Sequence, residues 1–139
     1  MATRKYRKWQ HAANSGGSNV PNLSSANLKW ALVDSAEVAA NTAIDGHEYL
    51  SDISAGVIAT TVLLANQSFV DGVLDADDVT LPDTGGGATG EYLVLYADTG
   101  TPSTSRLLVC SDDASNLPLT LDGTNDEIQH HVSGILSVG

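Results

Sequence analysis

The sequence predicts an all-β fold, specifically an antiparallel β-sandwich or barrel of the jelly-roll-like kind, with an extended N-terminal arm. Short apolar runs recur along the chain about every 8 to 12 residues, as in sandwiches and barrels, and polar turns rich in Gly, Asp and Pro separate them. Few stretches have the length that an independent helix needs. A length of 139 residues suits one domain with one core. We place this domain at residues 28–139 and the arm at residues 1–27.

The arm is predicted from its composition. Residues 14–19 read Asn-Ser-Gly-Gly-Ser-Asn, and Val20-Pro21 follows them. Such a segment cannot bury enough apolar surface to order itself. We therefore expect residues 1–27 to be extended and mobile in isolation, and to become ordered against a partner.

The first half of the domain begins with a predicted strand at residues 29–33. Residues 35–40 could form a helical turn but are too few for a confident helix. A second strand is predicted at residues 48–53. Residues 57–65 are rich in β-branched side chains and favour a third strand, with a short helix as the alternative.

The second half contains the clearest strand signals, at residues 92–96 and 107–110. The segment between them carries Gly and Pro and has the length of a hairpin connection, so the two strands should pair antiparallel. A broken strand is predicted before them, at residues 69–70, 73–74 and 79–81. The remaining candidate strands lie at residues 119–121, 128–132 and 135–138, with a turn at Asp122-Gly123.

Charge divides the chain into two unequal parts. All 17 acidic residues follow Val33, whereas five of the 6 basic residues lie within the first thirty positions. Residues 1–30 therefore carry a formal +5 and residues 31–139 carry −16, which gives the net −11. A short cationic segment on an anionic domain indicates an attachment device rather than an active site.

The candidate partner-binding residues are the cations and aromatic rings near the start of the chain: Arg4, Lys5, Tyr6, Arg7, Lys8 and Trp9. Cations can meet phosphates and rings can stack on bases, so the pattern is compatible with nucleic acid. The −16 on the rest of the chain would repel a polyanion, which argues against a nucleic-acid partner. We expect a protein surface as the partner, with a merely solvated tail as the alternative.

No catalytic constellation is visible, so we expect no enzyme and no cofactor. The triplet Asp-Thr-Gly occurs at residues 83–85 and 98–100, as a pair of aspartic-protease carboxylates would require. The two triplets lie too close together, in contexts too different, to build equivalent half-sites. Asp and Gly are simply preferred in turns, and we interpret both triplets in that way. Neither a Gly-x-Ser-x-Gly motif nor a phosphate-binding loop with its lysine occurs.

Metal binding and disulfide formation are not predicted. Residues 71–78 hold four carboxylates without the spacing of a calcium loop, so a solvated acidic turn is the favoured interpretation and a cation site the alternative. His130 and His131 would point to opposite faces of a strand, which argues against zinc. The single Cys110 lies in an apolar run and should be a small buried side chain. No run approaches the roughly 18 apolar residues of a membrane span.

A family resemblance adds to these observations. It is carried by residues 49–53, by 70–81 (Val-Asp-Gly-Val-Leu-Asp-Ala-Asp-Asp-Val-Thr-Leu), by 92–101 (Tyr-Leu-Val-Leu-Tyr-Ala-Asp-Thr-Gly-Thr), by 105–108 and by 134–136. In its short sequence motifs and in their order along the chain, this segment of about ninety residues resembles small β-rich structural proteins of tailed-bacteriophage virions. The resemblance implies a head decoration or cement protein on the capsid exterior, bound to the major capsid protein. It also implies a symmetric homo-oligomer, with a trimer as one candidate.

Two alternatives remain open at this point. A neck or tail component of the same virion would have the same sequence features, and only its copy number per particle would differ. A host-glycan-binding module would need exposed aromatic side chains on one face. Because Trp30, Tyr92 and Tyr96 are expected in the core, few aromatic rings are left for that role.

Overall fold

The computed structural model describes residues 4–17, 19–34, 46–111, 117–129 and 136–137. Over this part of the chain the protein consists mostly of β-strands in antiparallel sheets, with one short helix, α1 (Arg7–Ser15). The all-β prediction is confirmed at this level. The strands in chain order are β1 (Arg4–Lys5), β2 (Leu28–Val33), β3 (Val57–Thr60), β4 (Ser68–Val70), β5 (Val73–Asp75), β6 (Val79–Leu81), β7 (Thr89–Gly90), β8 (Tyr92–Ala97), β9 (Leu107–Ser111), β10 (Leu119–Thr120), β11 (Asp126–Ile128) and β12 (Leu136–Ser137).

A five-stranded antiparallel sheet in the order β1-β9-β8-β2-β3 forms the centre of the molecule. Its middle strands β2, β8 and β9 are almost entirely buried, as continuous apolar runs require. The predicted first strand is confirmed as β2. The predicted antiparallel pair is confirmed as β8 and β9, in a register that places Val94 opposite Cys110.

Three smaller antiparallel sheets complete the described fold: β4, β5 and β12, then β6 with β11, then β7 with β10. The predicted broken strand is thus three short strands. A hairpin joins the first two, with Asp71 and Gly72 both at positive φ (52° and 79°). Two successive residues at positive φ are typical of the type I′ turn, whose twist matches that of the flanking strands.

The strand predicted over residues 48–53 is wrong. Tyr49 forms only an isolated bridge with Arg106, and two 3-10 turns follow, Leu50–Asp52 and Ser54–Gly56. The Asp52 carboxylate accepts hydrogen bonds from the backbone N–H groups of Glu48 and Tyr49, at 2.8 and 3.0 Å. These bonds close the backbone into a turn and remove donors that a strand would need.

The strand predicted over residues 57–65 is only partly correct, because β3 ends at Thr60. The chain nevertheless stays beside β2. The backbone N–H groups of Thr61 and Leu64 donate to the carbonyls of Trp30 and Leu28, at 2.9 Å in both cases. The strand predicted at 119–121 corresponds to β10, which ends one residue earlier. Of the strand predicted at 128–132, β11 contains residue 128 and begins two residues before it, and β12 lies within the strand predicted at 135–138. Residues 130–135 and 138 lie outside the described residues.

The extended arm predicted for residues 1–27 differs from what the structure shows for residues 4–17. This part forms β1 and α1, with Tyr6 and Trp9 only 0% and 3% exposed in the common core. Residues 6, 9 and 12 recur at a spacing of three, which places Tyr6, Trp9 and Ala12 on one side of the helix. The buried apolar surface supplies the ordering that composition alone argued against.

Gly16 ends α1 in the left-handed region at φ 73°, as is common at helix C-termini. The division into 1–27 and 28–139 as separate units stays a prediction. The helical turn predicted at residues 35–40 and the histidines His130 and His131 lie outside the described residues.

Candidate functional site

The helix α1 presents two chemically different sides. Trp9 and Ala12 are buried against the sheet, whereas Arg7, Lys8 and His11 are exposed. We call these three exposed residues the cationic face. His11 lies three residues after Lys8 and four after Arg7, and positions three and four apart are neighbours on a helix surface.

A cavity of about 500 Å³ lies beside the cationic face. The helix lines it with Arg7, Lys8, His11, Ala12 and Ser15, and the rest of the described chain lines it with Gly17, Glu48 and Arg106. Among these described lining residues, three side chains are cationic and one is a carboxylate, in a molecule whose net charge is −11. The cavity is therefore locally cationic on a strongly acidic protein.

Arg106 holds the inner wall of the cavity in place. Its side chain is only 2% exposed and carries a guanidinium whose hydrogen bonds reach three separate segments. Nε donates to the Asn19 carbonyl at 3.1 Å, Nη1 to the Lys8 carbonyl at 3.4 Å, and Nη2 to the Tyr49 hydroxyl at 3.0 Å. The guanidinium also lies over the Tyr49 ring, 4.8 Å from its centroid. Arg106 therefore ties α1 and the segment after it to the sheet.

Glu48 provides the acidic part of the wall. Its carboxylate accepts a hydrogen bond from Arg106 Nη1 at 3.3 Å and is 35% exposed. Asp52 lies behind it and fixes the backbone of Glu48 and Tyr49. The pKa of Asp52 is lowered, chiefly by the hydrogen bond from the Tyr49 N–H. Desolvation opposes this shift, and the charges of His47 and Lys8 lower the pKa further.

The six predicted partner-binding residues do not share one surface. Arg4 and Lys5 form the edge strand β1, which pairs with β9, and Tyr6 and Trp9 point into the core. Burial, and next the neighbouring Cys110 thiol, raises the pKa of the Tyr6 phenol, so it stays protonated. Arg7 and Lys8 alone of the six line the cavity.

Sequence reasoning missed the six other described cavity residues, namely His11, Ala12, Ser15, Gly17, Glu48 and Arg106. One signal was available for Arg106, because it is the only basic residue after position 30 and it directly precedes a strongly apolar run. A fifth early cation, Lys29, lies elsewhere and pairs with Asp98 at 3.2 Å.

The two Asp-Thr-Gly triplets form the same local turn, as their interpretation as turns predicts. Asp83 Oδ1 accepts the Gly85 N–H at 2.8 Å, and Asp98 Oδ1 accepts the Gly100 N–H at 2.9 Å. Asp98 is additionally held by Lys29. Its pKa is lowered, chiefly by the Gly100 N–H, with desolvation opposing and Lys29 assisting.

Asp83 joins two loops. Its carboxylate also accepts the backbone N–H groups of Asp122 at 3.0 Å and Gly123 at 3.1 Å. Desolvation works to raise the pKa of Asp83, but the three backbone donors outweigh it and the pKa is lowered. The neighbouring Asp126 shows the opposite shift, because desolvation and the charges of Asp83 and Asp122 raise its pKa. The Asp83 carboxylate thus fastens two loops together.

Three further observations concern aromatic residues, metal ligands and membrane spans in the described chain. All seven aromatic residues are described; Tyr49, Phe69 and Tyr92 are half-buried and the other four are buried. Where the chain is described, no three His, Cys, Asp or Glu side chains come together in a group that could hold a metal ion. No helix of the described chain is long and apolar enough to cross a membrane.

Two comparisons with known proteins identify no relative of this chain. A scan against protein-family models finds no match to the chain, and a search of the curated proteins finds none either.

Proposed function

We propose that this protein is a non-enzymatic structural component of a tailed-bacteriophage virion, a decoration or cement protein on the outer capsid surface. In this proposal the cationic face of α1 docks on an acidic surface of the major capsid protein. The segregation of charge between the cationic face and the rest of the protein is the observation that supports this docking mode. Arg7 and Lys8 project from a folded helix, on a protein that carries −11 overall. The assignment to a virion comes from the family resemblance.

The position of the two cations on the helix supports a binding role. Arg7 and Lys8 occupy the first turn of α1, which contains no acidic residue. The N-terminal end of a helix carries partial positive charge, so each cation there costs roughly 0.3–1 kcal/mol instead of stabilising the helix. Residues that oppose local stability in this way are expected mainly where they serve a function.

The finer architecture belongs to the same proposal. We propose that the small sheets pack on the five-stranded sheet as a jelly-roll-like sandwich. A backbone hydrogen bond from Val62 N–H to the Thr80 carbonyl, at 3.2 Å, already links the segment after β3 to β6. A rigid β-rich body with one cationic docking element suits a protein that joins subunits and buries shell surface that would otherwise be wet.

The test neutralises the cationic face and measures binding to undecorated shells. The variant Arg7→Gln/Lys8→Gln removes two charges from exposed positions and leaves the buried side of α1 intact. A matched control, Thr80→Glu/Ser103→Glu, changes the net charge by the same amount at exposed positions away from the cavity. Co-sedimentation with purified shells should show binding weakened about tenfold for the first variant, since two charge contacts of roughly 0.7 kcal/mol each amount to the roughly 1.4 kcal/mol of a tenfold change. The control should bind like the unmodified protein.

Equal binding by both variants would contradict docking through the cationic face. Counting copies per particle then separates the shell from the neck and tail. Hundreds of copies fit a decoration protein, whereas about a dozen or fewer would assign the chain to the neck or tail and overturn the capsid location. The oligomeric state, for which we propose a symmetric homo-oligomer, follows from the same particle images.

A further inference from the structure

We infer that the protein associates with a second copy of itself through one edge of its five-stranded sheet. This edge consists of β3 and the three residues after it, Thr61, Val62 and Leu63, and we call it the neutral edge. The inference names the contact surface of the symmetric homo-oligomer that belongs to the proposed function, and it does not rest on docking through the cationic face.

The neutral edge exposes apolar side chains. In the described chain the exposed large apolar side chains are Val20, Val62, Leu63 and Val70, and two of them are adjacent here. Val62 is 50% and Leu63 is 46% exposed, and every residue of β3 is half-buried. Single exposed apolar residues are common on soluble proteins, whereas an apolar pair that continues an apolar strand is typical of a surface that another protein covers.

The two edges of the five-stranded sheet differ in how they are protected. Edge strands commonly carry charged residues or Pro, or are very short, and these features prevent another chain from adding to the sheet. The edge strand β1 has two residues, and both are cationic. The other edge strand, β3, reads Val-Ile-Ala-Thr and pairs only with β2 among the described strands. Its one register shift, opposite Leu32 and Val33, leaves Ala59 and Thr60 in regular pairing. The neutral edge is therefore the less protected of the two.

The distribution of charge selects a second copy as the partner. Residues 53–70 contain no Asp, Glu, Lys or Arg, whereas the protein carries −11 overall. Backbone hydrogen bonds place Asp34 beside Gly56 and Asp77 beside Ala65, so these acidic residues lie outside both ends of the neutral edge. Two acidic copies repel each other least where uncharged residues meet. In a two-fold interface a patch faces its own copy, so an apolar patch is self-complementary whereas a charged patch meets like charge.

The experiment measures self-association of the full chain by sedimentation velocity over a range of protein concentrations. We expect a reversible dimer. Added salt should strengthen it, because salt screens the repulsion between acidic copies and apolar contacts need no ion pair. A monomer at every concentration, or a trimer, would overturn the inference. Association that weakens with salt would also overturn it, because opposite charges of the two copies would then be in contact.

A pair of variants tests the surface itself. Leu63→Lys places a charge on the neutral edge, and Ala13→Lys makes the same change of charge at an exposed position of α1, which follows β1 at the opposite edge of the sheet. Leu63→Lys should weaken the dimer about a hundredfold, because a two-fold interface loses the contact twice and each loss costs roughly tenfold. Ala13→Lys should dimerise like the unmodified protein. Val62→Thr keeps the side-chain shape and should weaken the dimer about tenfold, which provides a second test if Leu63→Lys does not fold.

The outcomes separate this inference from the proposed docking. A dimer that Leu63→Lys leaves unchanged would overturn the neutral edge as the contact surface. A monomeric protein whose shell binding is weakened by Leu63→Lys would assign this edge to the capsid partner and would overturn the inference as well. Docking through the cationic face is judged independently, because Arg7→Gln/Lys8→Gln should weaken shell binding and leave the dimer intact.

Discussion

The central strands and the N-terminal segment at residues 4–17 both contain fully buried side chains, but different interactions hold them in the fold. Strands β2 and β8 are joined by a continuous backbone ladder, β8 and β9 by a ladder with one register shift after Leu95, and all three strands are almost entirely buried. Among the contacts described for the N-terminal segment are the two-residue strand β1, a hydrogen bond from the Tyr6 N–H to the Leu108 carbonyl, the buried side chains of Tyr6, Trp9 and Ala12, and the bond from Arg106 to the Lys8 carbonyl. A segment held by a few side chains can open without unfolding the sheet, and such segments commonly carry function.

The largest expected effect comes from the two tryptophans. Trp30 in β2 and Trp9 in α1 are 4% and 3% exposed. Trp30→Ala should cost about 3–5 kcal/mol in the free energy of unfolding, as large core truncations do. Trp9→Ala should cost less. The N-terminal segment can detach from the sheet, so the substitution cannot cost more than the free energy that holds this segment in place. Urea unfolding measures both, and amide exchange should show α1 opening alone in Trp9→Ala. Equal losses in the free energy of unfolding, with amide protection lost throughout the protein at once, would show that the two regions do not differ in this way.

An intermediate effect is expected at Arg106. Arg106→Met leaves the carbonyls of Lys8 and Asn19 and the Tyr49 hydroxyl without this donor, and we expect a loss of about 1–3 kcal/mol in the free energy of unfolding. The cost stays below that of a fully buried ion pair because the remaining Glu48 carboxylate is 35% exposed.

Glu48→Gln is the matched control for Arg106→Met, since it removes only the partly exposed partner. It should cost less than about 1 kcal/mol. Urea unfolding again provides the measurement. A loss for Arg106→Met no larger than that for Glu48→Gln would show that the guanidinium does not hold the N-terminal segment.

The smallest effect is expected at Asp126, far from the N-terminal segment. Its pKa is raised in the folded state from the ordinary 3.8, so its ionised form weakens folding, and the stability it contributes is lost as the pH rises through the folded value. Asp126→Asn should therefore stabilise the protein at pH 7, by less than about 1 kcal/mol. The gain should vanish below the unfolded pKa. Thermal unfolding at pH 7 and pH 3 checks this, and destabilisation at pH 7 would contradict the assigned repulsion.

The comparison also explains what the sequence could predict. The pair β8 and β9 was predictable because uninterrupted apolar runs flank a connection punctuated by Gly and Pro. The helix α1 was not predicted, because charged and polar residues surround Tyr6 and Trp9 and lower the apparent hydrophobicity of the segment. Its spacing of apolar residues and the terminal Gly16 were the signals that could have identified it.

The candidate site was only partly predictable for a similar reason. Charge alone identified Arg7 and Lys8, since no fold is needed to see an excess of cations. The contribution of Glu48 and Arg106 depends on contacts between residues far apart in the chain, which no local pattern encodes. The turn at Asp52 was mistaken for a strand because a carboxylate that bonds to its own backbone leaves no periodic signal.

The central claim is that α1 docks as a folded helix through its cationic face. Imaging the assembled particle at a resolution that shows side chains tests this directly. We expect α1 to be packed on the sheet as described, with Arg7 and Lys8 within about 4 Å of carboxylates on a neighbouring capsid subunit. A helix that faces solvent, or residues 4–17 detached and extended across the shell, would contradict it.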